Sequence, residues 1–327
     1  MSGLVRLVGT ELSRLRSRRL TVVTALVLVA VMGLFQLVVH DLASPPSATE
    51  RAQGQQAYEQ AQQSWQADQA GYLASCTASG EPQAQCEADY PPPTLSDFLQ
   101  PATPFDQLGK AVTSTAAYLA MLAAFLVAAS FVGAEYTTGS LANWLTFVPR
   151  RLLVYGSKVG AVLIGSALLG AVVAFTLAGL AAAQVAAYGL PLSGAGHVAA
   201  ASGRVVVLAA VAGLVGFALA LLTRHTVAAL GCALGYAIVG TVVRGLTYDG
   251  NGPLAWLPPY LPDLNLTAFL ERGATYTQYV NEVTAEGITQ RELERHISFG
   301  HSGVYWLVVV LVAVVPSLLV FQRRDVT

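Results

Sequence analysis

Six stretches of the 327-residue chain, at about 20–39, 111–133, 159–187, 205–222, 226–243 and 303–321, are apolar over roughly 18 residues or more and almost free of charge. At ~1.5 Å per residue, each is long enough as a helix to cross a hydrocarbon core of ~30 Å. Lipid offers no partner for backbone N–H and C=O groups, and a helix satisfies its own, so a helix is the form expected of each run. Composition agrees, since 54% of residues are apolar and 11% charged, whereas a soluble surface needs roughly a quarter charged. The expectation is an all-α polytopic membrane protein with six transmembrane helices.

The first run follows Arg14, Arg16, Arg18 and Arg19 and precedes Ala43, a pattern that a secretory signal would share. Its apolar core, Leu20 to Val39, exceeds the ~7–15 residues of a signal core, so it reads as a retained anchor. Sidedness follows from basic residues, which stay cytoplasmic in short flanks. With the N-terminus inside, the inner segments hold 11 basic and 3 acidic groups, and the outer ones hold the remaining 7 and 16. The net charge of −1 therefore hides two opposite faces. The basic one meets anionic lipid, and neither points to nucleic acid.

This N-in/C-in reading orders the chain as an interfacial helix at 1–19, span 1 at 20–40 and an extracytoplasmic loop at 41–108. Span 2 (109–133), a cytoplasmic loop (134–158), span 3 (159–187), span 4 (198–222) and span 5 (226–245) follow. An extracytoplasmic segment (246–302), span 6 (303–321) and a tail (322–327) complete it. Within 1–19, Leu4, Val5, Val8, Leu12 and Leu15 recur at helical spacing with Arg6, Arg14, Arg16 and Arg18 on other faces. Such a segment lies in the interface with its arginines among headgroups, or simply extends span 1.

In the first outer loop, Tyr58, Trp65 and Tyr72 are seven residues apart. That spacing places an aromatic stripe on one helix, packed on a neighbour or on its own return; the composition also suits partial disorder. Cys76 and Cys86 lie in this loop, where an oxidising compartment allows a disulfide, the alternative being two free thiols. With no His near them, a metal site is not expected. In the second outer segment, 263–272 and 275–296 read as short helices, the latter carrying Glu282, Glu286, Glu292 and Glu294. Within the spans, small residues recur: Gly160, Gly165 and Gly170 in span 3, and the Gly231-x-x-x-Gly235 pair in span 5. In lipid, helices associate through such faces, and Gly231 and Gly235 are candidates for dimer packing.

The most informative segment joins spans 2 and 3: Glu135, Tyr136, Gly139, Ser140, Leu141, Trp144 and then Pro149, Arg150, Arg151 and Lys158. It reads as a short amphipathic helix broken near Gly139 and stopped by Pro149, followed by a basic return to the membrane. Leu141, Trp144, Leu145 and Phe147 offer an apolar surface that lipid or a protein partner must cover. Here the chain resembles the ABC-2 type permease family, whose members carry a Glu-aromatic-x-x-Gly-(Thr/Ser)-Leu stretch after the second span. A Pro-Arg-Arg turn and a Lys leading into the third span follow in that family.

The resemblance implies that this loop is a coupling helix docking into a groove of a separate ATPase subunit in a bacterial cytoplasmic membrane. It assigns coupling to Glu135, Tyr136, Gly139, Ser140, Leu141, Trp144, Pro149, Arg150, Arg151 and Lys158. The chain has no Gly-x-x-x-x-Gly-Lys-(Ser/Thr) loop, and its only lysines are Lys110 and Lys158. No cofactor is expected on it; ATP and Mg belong to the partner. One coupling helix per chain implies two permease copies per ATPase dimer, a homodimer or a pair with a different permease.

Other classes find less support. An intramembrane enzyme needs a His-Glu-x-x-His motif, paired acids or a Ser/His pair at membrane depth, and no acidic residue lies at the centre of any apolar run. An ion-coupled secondary transporter keeps ionisable groups or broken helices at the midplane. The candidates here are Arg204 and Arg244, each bounding an apolar run at its outer end and read first as snorkelling. The expected function is export of an amphipathic or hydrophobic substrate (lipid, peptide or drug), with an ion-coupled transporter or another six-span protein as the alternative.

Overall fold

The structure, a computed structural model, describes residues 2–99, 101–140, 150–247, 250, 252–284 and 287–323. Six helices are long and apolar enough to cross a membrane: α2 (Arg19–Ala43), α5 (Phe105–Thr137), α6 (Arg151–Ala187), α7 (Ala195–Thr223), α8 (Thr226–Leu246) and α10 (Phe299–Arg323). Outside them lie α1 (Ser2–Arg16), α3 (Ala48–Ala78), α4 (Gln83–Asp89), α9 (Pro262–Glu271) and two strands, β1 (Gly273–Thr284) and β2 (Gly287–Ser298). The six apolar runs thus each fall inside one helix.

Helices α5, α6 and α7 form the packed centre, around fully buried Phe131, Leu177, Leu208 and Phe217. Lipid is as apolar as these side chains, so close van der Waals fit holds the helices together. The fit is made at glycines. A methyl added at Gly213 would lie 2.0 Å from Ser166 Oγ, one at Gly216 2.5 Å from the Phe125 carbonyl oxygen, and one at Gly170 2.6 Å from Ala209 Cβ. Helix α2 joins this core through Met32, Val39 and Ala43 and through the Gln36 side-chain amide, which donates to Gln184 Oε1 at 3.1 Å. Helix α8 stands apart: an added methyl at Gly231 or Gly235 would meet nothing within 4 Å among the described residues.

One end of the bundle gathers α1, the end of α5, the start of α6 and the end of α10. Here Arg151 Nη1 donates to the Gln322 carbonyl at 3.2 Å, satisfying an α10 terminal acceptor. Arg18, in extended conformation, makes the elbow between α1 and α2, and the Thr21 hydroxyl closes it by donating to the Leu15 carbonyl at 2.7 Å.

The opposite end carries the two long insertions. Helix α3 starts on a capping box: Glu50 N–H donates to Ser47 Oγ, and Ser47 N–H to Glu50 Oε2. Its aromatic stripe packs on its own return, with Tyr72 and Trp65 stacked on Tyr90 at 4.5 and 6.3 Å and Tyr58 against Phe98 at 6.2 Å. A Cys76–Cys86 disulfide spans α3 and α4 with Cα atoms 6.0 Å apart.

In the second insertion, α9 matches the helix expected at 263–272, but 275–296 is not helical. Residues 273–298 form an antiparallel hairpin in the register Gly273↔Ser298 to Thr284↔Gly287. What decides is the alternation of Thr275, Thr277 and Tyr279 with Tyr276 and Val280, β-branched and aromatic residues that suit a pleated ribbon. One face of the ribbon buries Ala274, Gln278 and Ile297. The Gln278 amide donates to the Ala255 carbonyl at 2.7 Å, and Gly250 N–H to the Tyr279 carbonyl at 2.8 Å. Arg244 pairs with Asp263 of α9, so it is tied to protein at this end, not left to snorkel.

Candidate functional site

Helix α5 ends where Gly139 takes φ +65°, a left-handed conformation that costs glycine little and other residues more. Thr138 closes the helix, its N–H and hydroxyl both donating to the Ala134 carbonyl at 3.1 and 2.7 Å. One turn earlier, Glu135 points into the bundle and is 1% exposed. The predicted break near Gly139 is therefore also the point where the chain leaves a buried carboxylate behind.

That carboxylate belongs to a cluster of five charges. Lys158 Nζ, on the first turns of α6, lies 2.6 Å from Glu135 Oε2 and 3.0 Å from Glu11 Oε1 of α1. Lys158 and Glu11 are each 2% exposed. Arg14 Nη1 sits 3.6 Å from both Glu11 Oε2 and Glu135 Oε1, and Arg18 Nη2 3.6 Å from Glu135 Oε1. These longer contacts are ion pairs and not hydrogen bonds. Arg18 Nη1 also donates to the Ser130 carbonyl at 2.9 Å. The Phe131 ring faces two of the cations, with its centroid 4.9 Å from the Arg18 guanidinium and 5.0 Å from the Lys158 ammonium.

Two buried carboxylates that share one site repel each other unless a cation lies between them. Lys158 is that cation. With Arg14 and Arg18 the cluster holds three positive and two negative groups, so the acids are neutralised with one positive charge in excess. Geometrically it ties α1 to the last turns of α5 and the first turns of α6, more than a hundred residues further along the chain. The segment between α5 and α6 is anchored at both ends in this one cluster.

The structure divides the residues singled out in the sequence. Glu135 and Lys158 meet directly, both buried inside the bundle. Tyr136 lies 5.9 Å, ring centroid to guanidinium, from Arg224 at the end of α7. Ser140 Oγ accepts from the Thr138 hydroxyl at 3.2 Å. Gly139 and Arg150 are exposed, and Arg151 holds the end of α10 as described above. Leu141, Trp144 and Pro149 lie outside the described residues. The disulfide and the Gly231–Gly235 pair are remote from the cluster and belong to the opposite end and to α8.

Three members of the cluster escaped the sequence reading. Arg14 and Arg18 were expected among headgroups, and Glu11 was counted only as one inner acid. A signal was present: Glu11 is the sole acid before Asp41, one turn from Val8 and one from Leu15 on the apolar face of α1. Val8 and Leu15 pack on Gly160 and Gly165 of α6, which carries Glu11 onto Lys158. An acid on a buried face calls for a basic partner, and Lys158, two turns inside α6, supplies it. Among the described residues, no group of three or more His, Cys, Asp or Glu is arranged to hold a metal.

Comparison with known proteins gives one assignment. No curated protein matches the chain. The family model described as "ABC-2 family transporter protein" matches residues 11–326, from the glutamate of α1 through α10, so the match takes in the whole charge cluster and all six apolar helices. The chain belongs to the ABC-2 family and is a membrane subunit of an ABC transporter.

Proposed function

We propose that this chain is the permease of an ABC exporter in which the segment 134–158 docks on a separate ATPase subunit, and that the buried cluster transmits the movement of that segment to the spans. The observation that carries the reading is the position of Lys158, shared between Glu11 and Glu135 at 3.0 and 2.6 Å. Because α1, α5 and α6 meet there, a displacement of the loop moves three helices as one body and not a loop alone. Glu135 and Lys158 act in coupling as positioning residues, behind the surface and not on it. Gly139, Ser140, Leu141, Trp144, Pro149, Arg150 and Arg151 form or flank the docking surface.

The basic excess of the cluster end supports its placement on the cytoplasmic side of a bacterial cytoplasmic membrane, both ends inside. The ATPase partner supplies ATP and Mg, and two permease copies serve two docking grooves. The small, apolar character of the spans favours an amphipathic or hydrophobic substrate (a lipid, peptide or drug) over a hydrated ion.

The test is reconstitution with the partner ATPase. Leu141→Asp is expected to abolish co-purification of the ATPase. Glu135→Gln is expected to preserve co-purification while ATP hydrolysis continues without transport. Unchanged transport in both variants would remove the coupling assignment.

A further inference from the structure

Beneath the elbow between α1 and α2 a crevice of about 460 Å³ opens toward the surface, lined by Leu12, Leu15, Val127, Leu168 and Leu169, with Arg16 at its edge. Its size is within the ~300–1,000 Å³ of pockets that enclose a small ligand. Its lining is mostly apolar, with Ser13, Thr21 and Ser166 as uncharged polar members and Arg16 as the one charged residue. Of the four basic residues at the elbow, Arg14 and Arg18 face Glu11 and Glu135. Arg16 and Arg19 are exposed and pair with no acid among the described residues, so they add to the positive excess that the cluster already carries.

We propose that this crevice is a binding site for one anionic phospholipid, with an acyl chain along Leu12, Leu168 and Leu169 and the phosphate at Arg16. A neutral lipid would fill the apolar part but leave Arg16 unanswered. A soluble anion would answer Arg16 but leave the apolar walls bare. Only a molecule with both parts matches the lining, and the elbow between an amphipathic helix and a span lies at headgroup level, where such molecules are concentrated. The lipid would then brace α1 against α5 and α6 on the side of the elbow away from the Lys158 cluster. The inference does not depend on the coupling role or on which side of the membrane this end occupies.

The experiment is native mass spectrometry of the full chain solubilised from vesicles of equimolar phosphatidylglycerol and phosphatidylcholine. The natural chain is expected to retain one phosphatidylglycerol in preference to phosphatidylcholine. Arg16→Gln should lower that preference about fivefold, the equivalent of ~1 kcal/mol for one basic residue near a membrane surface. Arg16→Lys should restore most of it, and Arg323→Gln, on α10, should leave it unchanged. Leu168→Trp, at a position open enough to accept the larger ring, should reduce retention of both lipids by narrowing the crevice. Excess glycerophosphate, which has the headgroup charge without the chains, should fail to displace the bound lipid. Equal retention of the two lipids, indifference to Arg16→Gln or to Leu168→Trp, or displacement by glycerophosphate would each overturn the site.

Discussion

Helices α7 and α8 are consecutive, separated by Arg224 and His225, and both are apolar enough to span a membrane, with mean hydropathies of 2.8 and 1.9 over their most apolar windows. Yet 67% of that window is buried within the chain in α7 and 6% in α8. Hydropathy therefore tells that each helix enters lipid and nothing about which protein surface it meets. Small residues opposite matching partners make the difference. A methyl added at Gly213 or Gly216 of α7 would meet Ser166 or Phe125, whereas one added at Gly231 or Gly235 of α8 would meet nothing within 4 Å among the described residues. In lipid a helix gains no free energy by hiding leucines, so it packs only where shape or charge rewards it.

The strongest test of the packed region is at its charged end. Lys158→Met leaves Glu11 and Glu135 without their shared cation, and breaking a buried pair by removing one partner costs ~3–5 kcal/mol. The effect should fall near the lower figure, because Arg14 and Arg18 remain 3.6 Å from the carboxylates. Thermal unfolding of the purified protein measures it. Adding Glu11→Gln and Glu135→Gln to Lys158→Met should recover much of the loss, since no buried acid then lacks a counter-charge. A triple variant no more stable than the single one would show that something other than charge pairing holds this end.

The next effect lies outside both helices, where a covalent link does what packing does for α7. Cys76→Ser opens a loop of ten-residue separation and should destabilise the α3–α4 pair by ~2–3 kcal/mol in the chain-entropy model. Local proteolysis across 48–99 should rise while the unfolding of the bundle stays put. A matching loss of bundle stability would mean that the loop is part of the core.

Within α7 itself, Gly216→Ala should cost ~1–3 kcal/mol by overpacking, because the new methyl would lie 2.5 Å from the backbone oxygen of Phe125, which cannot rotate away. The same change at Gly231 should be silent in the isolated chain. Equal costs at the two positions, read from the same unfolding curves, would erase the contrast between the helices.

The six helices were legible because each is an uninterrupted apolar run, a property of one segment alone. The disulfide partners were legible as neighbours in one polar loop, and the break at Gly139 because a glycine ends a helix by its own backbone freedom. What the sequence hid is relational. Gly170 and Gly231 look alike in sequence, and only Ala209 opposite Gly170 makes one of them a contact. Glu11 is separated from Glu135 and Lys158 by more than a hundred residues of chain, and each of the three taken singly passes for an interfacial charge. The hairpin at 273–298, expected as a helix over 275–296, is the opposite case: its period-2 pattern of Thr, Tyr and Val is local and visible in the sequence.

The smallest effect on the chain itself is also the one that tells most about α8. Val227, Gly231, Gly235, Ile238 and Val242 recur at steps of three and four residues and so share one face; Val227, Ile238 and Val242 on it are 78%, 57% and 59% exposed. Gly235→Leu adds a side chain where nothing lies within 4 Å, so the stability of a single chain should change by no more than ~0.5 kcal/mol, as for surface positions generally. If this face meets a second copy, as the proposed two-permease assembly would require of some surface, the added leucine separates two backbones that the glycines allow to touch. The dimer then weakens while the monomer does not. Mass determination of the solubilised complex at several protein concentrations reads the two separately, and the expected result is a lower dimer fraction with an unchanged unfolding temperature. An unchanged dimer fraction would assign the glycine face of α8 to lipid and move the contact between copies elsewhere, with the exposed side of α5 around Tyr118 and Leu122, 55% and 60% exposed, the next surface to probe.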